Sequence, residues 1–337
     1  MMDLNILWFI LITVLFAGFF LLEGFDYGVG LLAPLIGQDE TERRLLLHTI
    51  APVWDGNEVW MITAGGALFA AFPHVYATMF SAFYLALFLL LCALILRGAG
   101  LELRNRAEGQ GWHAFWDWAI CFGSAVPALL WGVAVTNLLA GLPINSRMLY
   151  IGRFIDLLTP YTLLGGITFL LIFTFHGAAF LTLRLDNSSL AMRLHDVGRN
   201  TGLAALLAFA AYGLTTIRQT DFLQHPLALV LFAATAVLFL GGWVFHCRRK
   251  THPAFLLSSL AIITATASLF AGLFPRLMVS SLQPEWSLNI YNAASSPYTL
   301  TIMTIAAACL VPVVLAYQAW TYWVFRHRLT EKDLGHY

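Results

Sequence analysis

Nine apolar runs, separated by short polar connections, dominate the sequence. Each run is close to the length of about 20 residues that an α-helix needs to cross the hydrocarbon core of a bilayer. The second run is polar at its start, whereas the others are apolar almost throughout. The pattern predicts nine transmembrane helices, which lie over 5–30, 53–72, 76–97, 113–140, 157–184, 200–218, 226–246, 254–275 and 298–325.

The composition supports this assignment to the membrane proteins. Hydrophobic residues make up 60% of the 337 residues and charged residues only 11%, whereas soluble domains contain about 25% charged residues. Because the connections are brief, residues 1–337 are expected to form one all-α transmembrane domain of packed helical bundles. The net charge of zero gives no indication of a nucleic-acid partner. The N-terminal MMDLN lacks the basic region of a cleaved signal peptide, so the first run is expected to remain as a helix.

The positively charged residues are distributed unevenly between the two sets of connections. All but four of the 18 Lys and Arg residues fall in one set, and Arg97 and Arg104 are counted there. The cytoplasmic side of a membrane protein carries the excess of Lys and Arg. With nine helices, the distribution predicts an N-terminus outside the cell and a C-terminus in the cytoplasm.

Five carboxylates interrupt the apolar runs near the predicted cytoplasmic side: Glu23, Asp26, Asp55, Glu58 and Asp117. A carboxylate at the bilayer centre costs about 2.5–3.5 kcal/mol on insertion scales, so such residues usually mark a functional path. The i, i+3 spacing places Glu23 with Asp26, and Asp55 with Glu58, on one helix face. We therefore expect a layer of acids that takes up protons from the cytoplasm.

A simpler interpretation is available for two of these acids. Asp55 and Asp117 could stabilise helix N-termini, where the helix dipole favours negative charge. This interpretation does not extend to Glu23 and Asp26, which lie in the C-terminal half of the first helix, where the dipole disfavours them.

Glycine and histidine positions refine the picture. Gly24 and Gly28 form a G-x-x-x-G motif, which predicts close contact with a second helix; Gly65 and Gly66 offer a similar surface. Of the ten histidines, only His176 lies well inside an apolar run. A bis-histidine haem needs two buried partners, so His176 is expected to form hydrogen bonds, and no haem or metal is expected in this chain.

Several motifs are similar to those of a known family. The string TERRLLLHTIAPVWDGNEVWMITAGGALFAAFP at 41–73, together with LEGFDYGVGLL, WDWAI and SSPYTLTIMT, closely resembles the second subunit of cytochrome bd-type quinol oxidases, and the likeness runs from end to end. The resemblance implies a subunit without haem in an obligate heterodimer of the bacterial inner membrane. It implies that subunit I carries two b haems, haem d and the quinol site. It also allows a small single-helix third subunit and a structural ubiquinone or phospholipid.

The resemblance extends to individual residues. Asp26, Asp55 and Asp117 match family acids, the first two in the proton-pathway region. Glu23 stands where familiar members have Asp, and Glu58 stands where they have Gln. Trp60, which by itself could be a packing aromatic, matches a tryptophan at the proposed dioxygen access point. The short connection near 219–225 resembles the cyanide-insensitive type.

The sequence thus predicts a non-haem oxidase subunit that contributes proton and dioxygen access to a complex reducing dioxygen to water. One alternative is a stand-alone proton-coupled transporter, which would also use intramembrane acids; substrate uptake by the chain alone would favour it. A second is a self-sufficient haem enzyme, which a haem absorption band in the isolated chain would favour.

Overall fold

The computed structural model describes residues 3–335, so the two residues at each end of the predicted 1–337 domain lie outside the described part. Helices make up most of it, and many begin at a side chain that caps the free backbone N–H groups. Asp3, Asp39, Thr159, Asn187 and Ser296 all serve as such caps. The α-helices are α1 Leu4–Ile36, α2 Glu40–His48, α3 Trp54–Ala71, α4 Pro73–Ala82, α5 Tyr84–Leu103, α6 Gln110–Ala140, α7 Pro160–Arg184, α8 Ser188–Gln219, α9 Pro226–Cys247, α10 Thr251–Leu273 and α11 Pro297–Val324.

Within residues 3–335, eight helices are long and apolar enough to cross a membrane: α1, α5, α6, α7, α8, α9, α10 and α11. The all-helical membrane fold expected from the sequence is therefore confirmed. The predicted helix at 53–72 corresponds to α3, which is not among the eight. Its 18 residues include Asp55, Asn57 and Glu58, which lower its hydropathy.

Two predicted helix boundaries differ from the structure. The expected helix at 76–97 begins inside α4 and continues into α5, because the backbone leaves the helical conformation at Phe83. The expected helix at 200–218 is the second part of α8, which begins at Ser188. The first turns of α8 contain polar residues, so the apolar pattern alone placed the start of this helix too late.

Helix α1 is central and packs against α3, α6, α7 and α10. Gly28 of α1 meets Gly177 of α7 so closely that a Cβ added at Gly28 would lie 2.2 Å from the Phe173 carbonyl oxygen and 2.7 Å from the Gly177 Cα. Gly24 is similarly covered by the Phe173 ring. The close packing expected of the G-x-x-x-G motif is confirmed; the acids lie on another face of α1, where they contact α5 and α3.

The two ends of the bundle have different covers. At the end where α1 begins, a short antiparallel hairpin, β1 Arg276–Met278 with β2 Leu288–Asn289, packs on the connection after α6. At the other end lie α2 and the segment after α11, whose Leu329 N–H donates to the Arg184 carbonyl at 2.8 Å. The acids are closer to this second end.

Candidate functional site

Helices α1, α3 and α5 bring ionisable side chains together. Glu23 and Asp26 of α1 and Arg97 of α5 are completely buried, and Glu58 of α3 is 19% exposed at its side chain. Nη1 of Arg97 donates to Glu23 Oε1 at 2.5 Å and to Glu58 Oε1 at 2.6 Å. One guanidinium nitrogen therefore joins carboxylates from two helices, and we call Glu23, Asp26, Glu58 and Arg97 the α1 acid cluster.

Asp26 accepts its hydrogen bond from a neutral amide and not from a charged side chain. Asn57 Nδ2 donates to Asp26 Oδ2 at 2.7 Å. The Asn57 carbonyl oxygen accepts from the Tyr322 hydroxyl at 2.7 Å and from Gln318 Nε2 at 3.4 Å, both on α11. These contacts leave Asn57 only one sensible orientation, with its N–H₂ directed at Asp26.

Trp60 belongs to the same polar group through its indole nitrogen. Its Nε1 donates to Gln318 Oε1 at 2.8 Å. Its ring lies flat against α1, where a Cβ added at Gly18 would be 2.2 Å from the ring. Trp60 is thus half-buried where α1, α3 and α11 meet, one side facing outwards.

The other two predicted acids lie apart from the α1 acid cluster. Asp55 is exposed on α3, one turn before Glu58, and within the described part of the chain it makes no hydrogen bond or ion pair. Asp117 is buried in a second cluster, where Arg104 Nε donates to its Oδ1 at 2.6 Å and Arg104 Nη1 donates to Glu40 Oε1 at 2.7 Å. The expected layer of five acids is therefore divided into three places.

The structure also bears on the simpler interpretation, in which Asp55 and Asp117 stabilise helix N-termini. Asp55 does lie in the first turn of α3, but α3 has no side-chain cap. Asp117 lies beyond the first turn of α6 and is ion-paired. The helix dipole thus does not account for Asp117.

Sequence reasoning placed Arg97 in a connection, and this was wrong, because α5 continues to Leu103; Arg104 does lie in the connection between α5 and α6, but it is not exposed there. Both are buried and pair with acids, Arg97 near the end of α5 and Arg104 in the 3₁₀ turn that follows it. Asn57, Gln318 and Tyr322 were not predicted at all. No local signal marked Arg97 as buried, because it stands at the end of the apolar run ALIL and directly before GAG, where an arginine that faces water would also stand.

His176 forms the hydrogen bonds expected of it. Its Nε2 lies 3.2 Å from the Leu21 carbonyl oxygen and its Nδ1 lies 2.8 Å from Ser258 Oγ. Since a carbonyl can only accept, Nε2 carries the proton; the Ser258 hydroxyl lies within hydrogen-bonding distance of both Nδ1 and the Phe255 carbonyl oxygen, the latter at 2.9 Å. Neither nitrogen is free to bind iron.

Cofactor sites are limited among the described residues. Residues 3–335 contain no group of three or more His, Cys, Asp or Glu side chains arranged to hold a metal ion. An apolar cavity of about 30 Å³ lies between α1, α7 and α10 and is lined by side chains such as Phe20, Phe173 and Ile262. Its walls offer no metal ligand. Buried carboxylates such as those of the α1 acid cluster are groups that can bind and release protons.

Comparison with known proteins shows which family this sequence resembles. Residues 4–325 match the family described as cytochrome bd terminal oxidase subunit II. Cytochrome bd ubiquinol oxidase subunit 2 of Bacillus subtilis (strain 168) is 40% identical over 337 residues, which cover 99% of each chain.

Further relatives show the same similarity. Cytochrome bd-I ubiquinol oxidase subunit 2 of Escherichia coli (strain K12) is 36% identical, covering 98% of this chain and 96% of that protein. A solved structure of bd oxidase from Geobacillus thermodenitrificans shares the fold, with a TM-score of 0.75 at 15% identity, over 96% of this chain and 99% of that one.

Proposed function

Because this chain belongs to the cytochrome bd terminal oxidase subunit II family, we propose that it is the haem-free second subunit of a quinol:oxygen oxidoreductase in the bacterial inner membrane. The partner subunit I carries two b haems, haem d and the quinol site. This chain contributes proton and dioxygen access. A stand-alone transporter is not favoured, since the relatives that match over nearly the whole length are oxidase subunits.

In this proposal α3 is a ninth crossing, with the N-terminus outside and the C-terminus in the cytoplasm. At 1.5 Å per residue its 18 residues extend about 27 Å, close to the bilayer core of about 30 Å. Two contacts support it: the Ala71 carbonyl, where α3 ends, accepts from Ser295 N–H at 2.8 Å, and the Tyr291 hydroxyl donates to Asp3 at 3.3 Å. Taken together, the two contacts bring the end of α3 near the start of α1 through the segment 291–295.

Subunit I covers the face formed by α3, α5 and α11. Only 6% of the most apolar part of α11 is buried. Asp55 is exposed on the same face, and a carboxylate left against lipid is costly. Ile62 and Phe69 of α3 are also exposed, at 67% and 58%. A protein partner that buries this face removes the penalty, as expected for an obligate interface of more than about 2,000 Å².

The α1 acid cluster carries the proton-handling part of the proposal. Three carboxylates lie in this cluster with one cation, Arg97, which contacts Glu23 and Glu58 directly. A buried surplus of negative charge is unfavourable, so the cluster favours holding at least one proton. Glu58 is the member that remains partly exposed, and Asp55 lies one turn away. The route runs from Asp55 through Glu58 to Glu23 and Asp26, while Asp117 serves the entrance near α2.

Trp60 contributes dioxygen access in this proposal. Its half-buried ring lies at the junction of α1, α3 and α11, on the face assigned to subunit I. Dioxygen is apolar and crosses the apolar side of the ring, whereas protons follow the carboxylates.

The experiment that tests the proton route uses Asp26→Asn and Asp55→Asn in the assembled complex. Oxygen consumption per haem d is expected to fall by an order of magnitude or more in each variant, with haem content and quinol-dependent haem reduction normal. Asp196→Asn, an exposed acid on α8 paired only with Arg199, is the control and keeps full turnover. If both variants retain normal turnover per haem d, the acids are structural and the route is wrong.

A further inference from the structure

Glu23 and Asp26 leave one carboxylate oxygen each without a partner. Glu23 Oε1 accepts from Arg97 and Asp26 Oδ2 accepts from Asn57. The remaining oxygens, Glu23 Oε2 and Asp26 Oδ1, are buried and have no hydrogen-bond donor among the described residues. Buried polar atoms nearly always have a partner, so these two oxygens call for an explanation.

The two oxygens belong to side chains that can reach each other. The i, i+3 spacing on α1 places both carboxyl groups on one face, and both side chains are completely buried there, so a hydrogen bond between them requires no rearrangement of the helix. Two ionised carboxylates have no proton with which to form such a bond. One proton placed between them satisfies both oxygens at once.

The surroundings favour one shared proton over two separate charges. Arg97 from α5 is the only cation in direct contact with the pair among the described residues, and it also serves Glu58 from α3. The Asn57 amide that donates to Asp26 is neutral and therefore supplies no second positive charge. When two carboxyl groups share a site, the ionisation of one opposes that of the other.

We propose that Glu23 and Asp26 form a carboxyl–carboxylate pair that holds one proton between Glu23 Oε2 and Asp26 Oδ1. The inference rests on the proposed proton-handling function and makes it specific. The proton crosses the pair when the O–H bond on one oxygen breaks and the O–H bond on the other forms, so no co-reactant is needed. The pair takes up its proton from Glu58 and releases it towards the partner subunit.

Infrared spectroscopy of the purified complex tests this pair. At neutral pH the wild type is expected to show a protonated-carboxyl C=O band that shifts in D₂O. Glu23→Gln must abolish it, because the amide N–H takes the place of the proton and leaves Asp26 ionised. Asp26→Asn must abolish the same band, because its amide N–H takes the place of the proton and leaves Glu23 ionised. Asp196→Asn keeps it.

Each other outcome has a definite meaning. If either variant retains the band, the proton belongs to one residue alone and the shared pair is refuted; absence of the band in wild type refutes it too. If Glu23→Gln does not assemble, Glu23→Asp replaces it: the shorter side chain withdraws from Asp26, so an unmoved band contradicts the pair. Oxygen consumption per haem d is measured on the same samples. If the band is lost but turnover is unchanged, the shared proton is supported and the proton route is refuted.

Discussion

At the scale of single residues, Arg97 determines how the acids are arranged. Its Nη1 links Glu23 and Glu58, and its guanidinium carbon lies 5.1 Å from the centre of the Tyr27 ring. The acids could be predicted from the sequence because carboxylates are rare in apolar runs. Their partner could not, because an arginine next to a polar connection looks the same in sequence whether it faces water or turns inwards.

Arg97→Gln is expected to destabilise the complex strongly. Removing one member of a buried ion pair costs about 3–5 kcal/mol, because the charges left behind are uncompensated. Thermal denaturation of the detergent-purified complex measures the loss, and Arg106→Gln, an exposed arginine on the adjacent turn, is the matched control. Adding Glu23→Gln to Arg97→Gln should recover part of the stability. Equal stability of the Arg97 and Arg106 variants would contradict this account.

His176→Gln is expected to leave every haem band of the complex in place. Both ring nitrogens are engaged with Leu21 and Ser258, and glutamine retains a donor for the Leu21 carbonyl. Reduced-minus-oxidised spectra at equal protein concentration make the comparison. Loss of a b haem band would show that this chain ligates iron.

At the scale of helices, apolar length and glycine spacing were sufficient for most of the fold. The G-x-x-x-G motif correctly indicated close packing, although the sequence did not identify α7 as the partner helix. The break at Phe83 had no signal, since AFYLALF contains neither glycine nor proline and is apolar throughout. Such a bend is set by how α4 and α5 pack on their neighbours, which a single sequence does not encode locally.

Gly28→Ala is expected to disrupt the contact between α1 and α7. Its new methyl group would lie 2.2 Å from the Phe173 carbonyl oxygen, which belongs to the backbone and cannot rotate away. The helices must separate, so the yield of assembled complex and its midpoint of thermal denaturation should both fall. Gly111→Ala, where nothing lies within 4 Å of the added Cβ, provides the comparison. Tolerance of alanine at both positions would mean that α1 and α7 are less closely packed.

At the scale of the whole molecule, the chain is incomplete as a packed bundle. Helix α11 is held by few contacts: Trp8 Nε1 donates to the Leu300 carbonyl at 3.2 Å near one end, and Tyr322 bonds to Asn57 near the other. Gly65 and Gly66 of α3 have nothing within 4 Å of an added Cβ. The small-residue surface expected there is thus unused within the chain and remains available to the partner.

Gly66→Leu is expected to weaken association with subunit I while leaving this chain folded. Gly66 is exposed and nothing lies within 4 Å of an added Cβ, so the larger side chain is expected to clash against the partner and not within this chain. Ala210→Leu, at an exposed position of α8 outside the proposed interface, is the control. Co-purification of the two subunits after mild detergent extraction measures the difference. Equal recovery with both variants would place the interface elsewhere.

The buried contacts of α1 also have a consequence for synthesis. Asn57 follows Asp26 by 31 residues and Arg97 follows Glu23 by 74 residues, so α1 leaves the ribosome well before either partner. During that interval two acids near the helix end have nothing to bind. The long apolar stretch that precedes them, with a mean hydropathy of 2.5, outweighs their cost of about 2.5–3.5 kcal/mol each. The nascent helix can therefore insert before its acids have partners, and Arg97 pairs with Glu23 only after α5 has been synthesised.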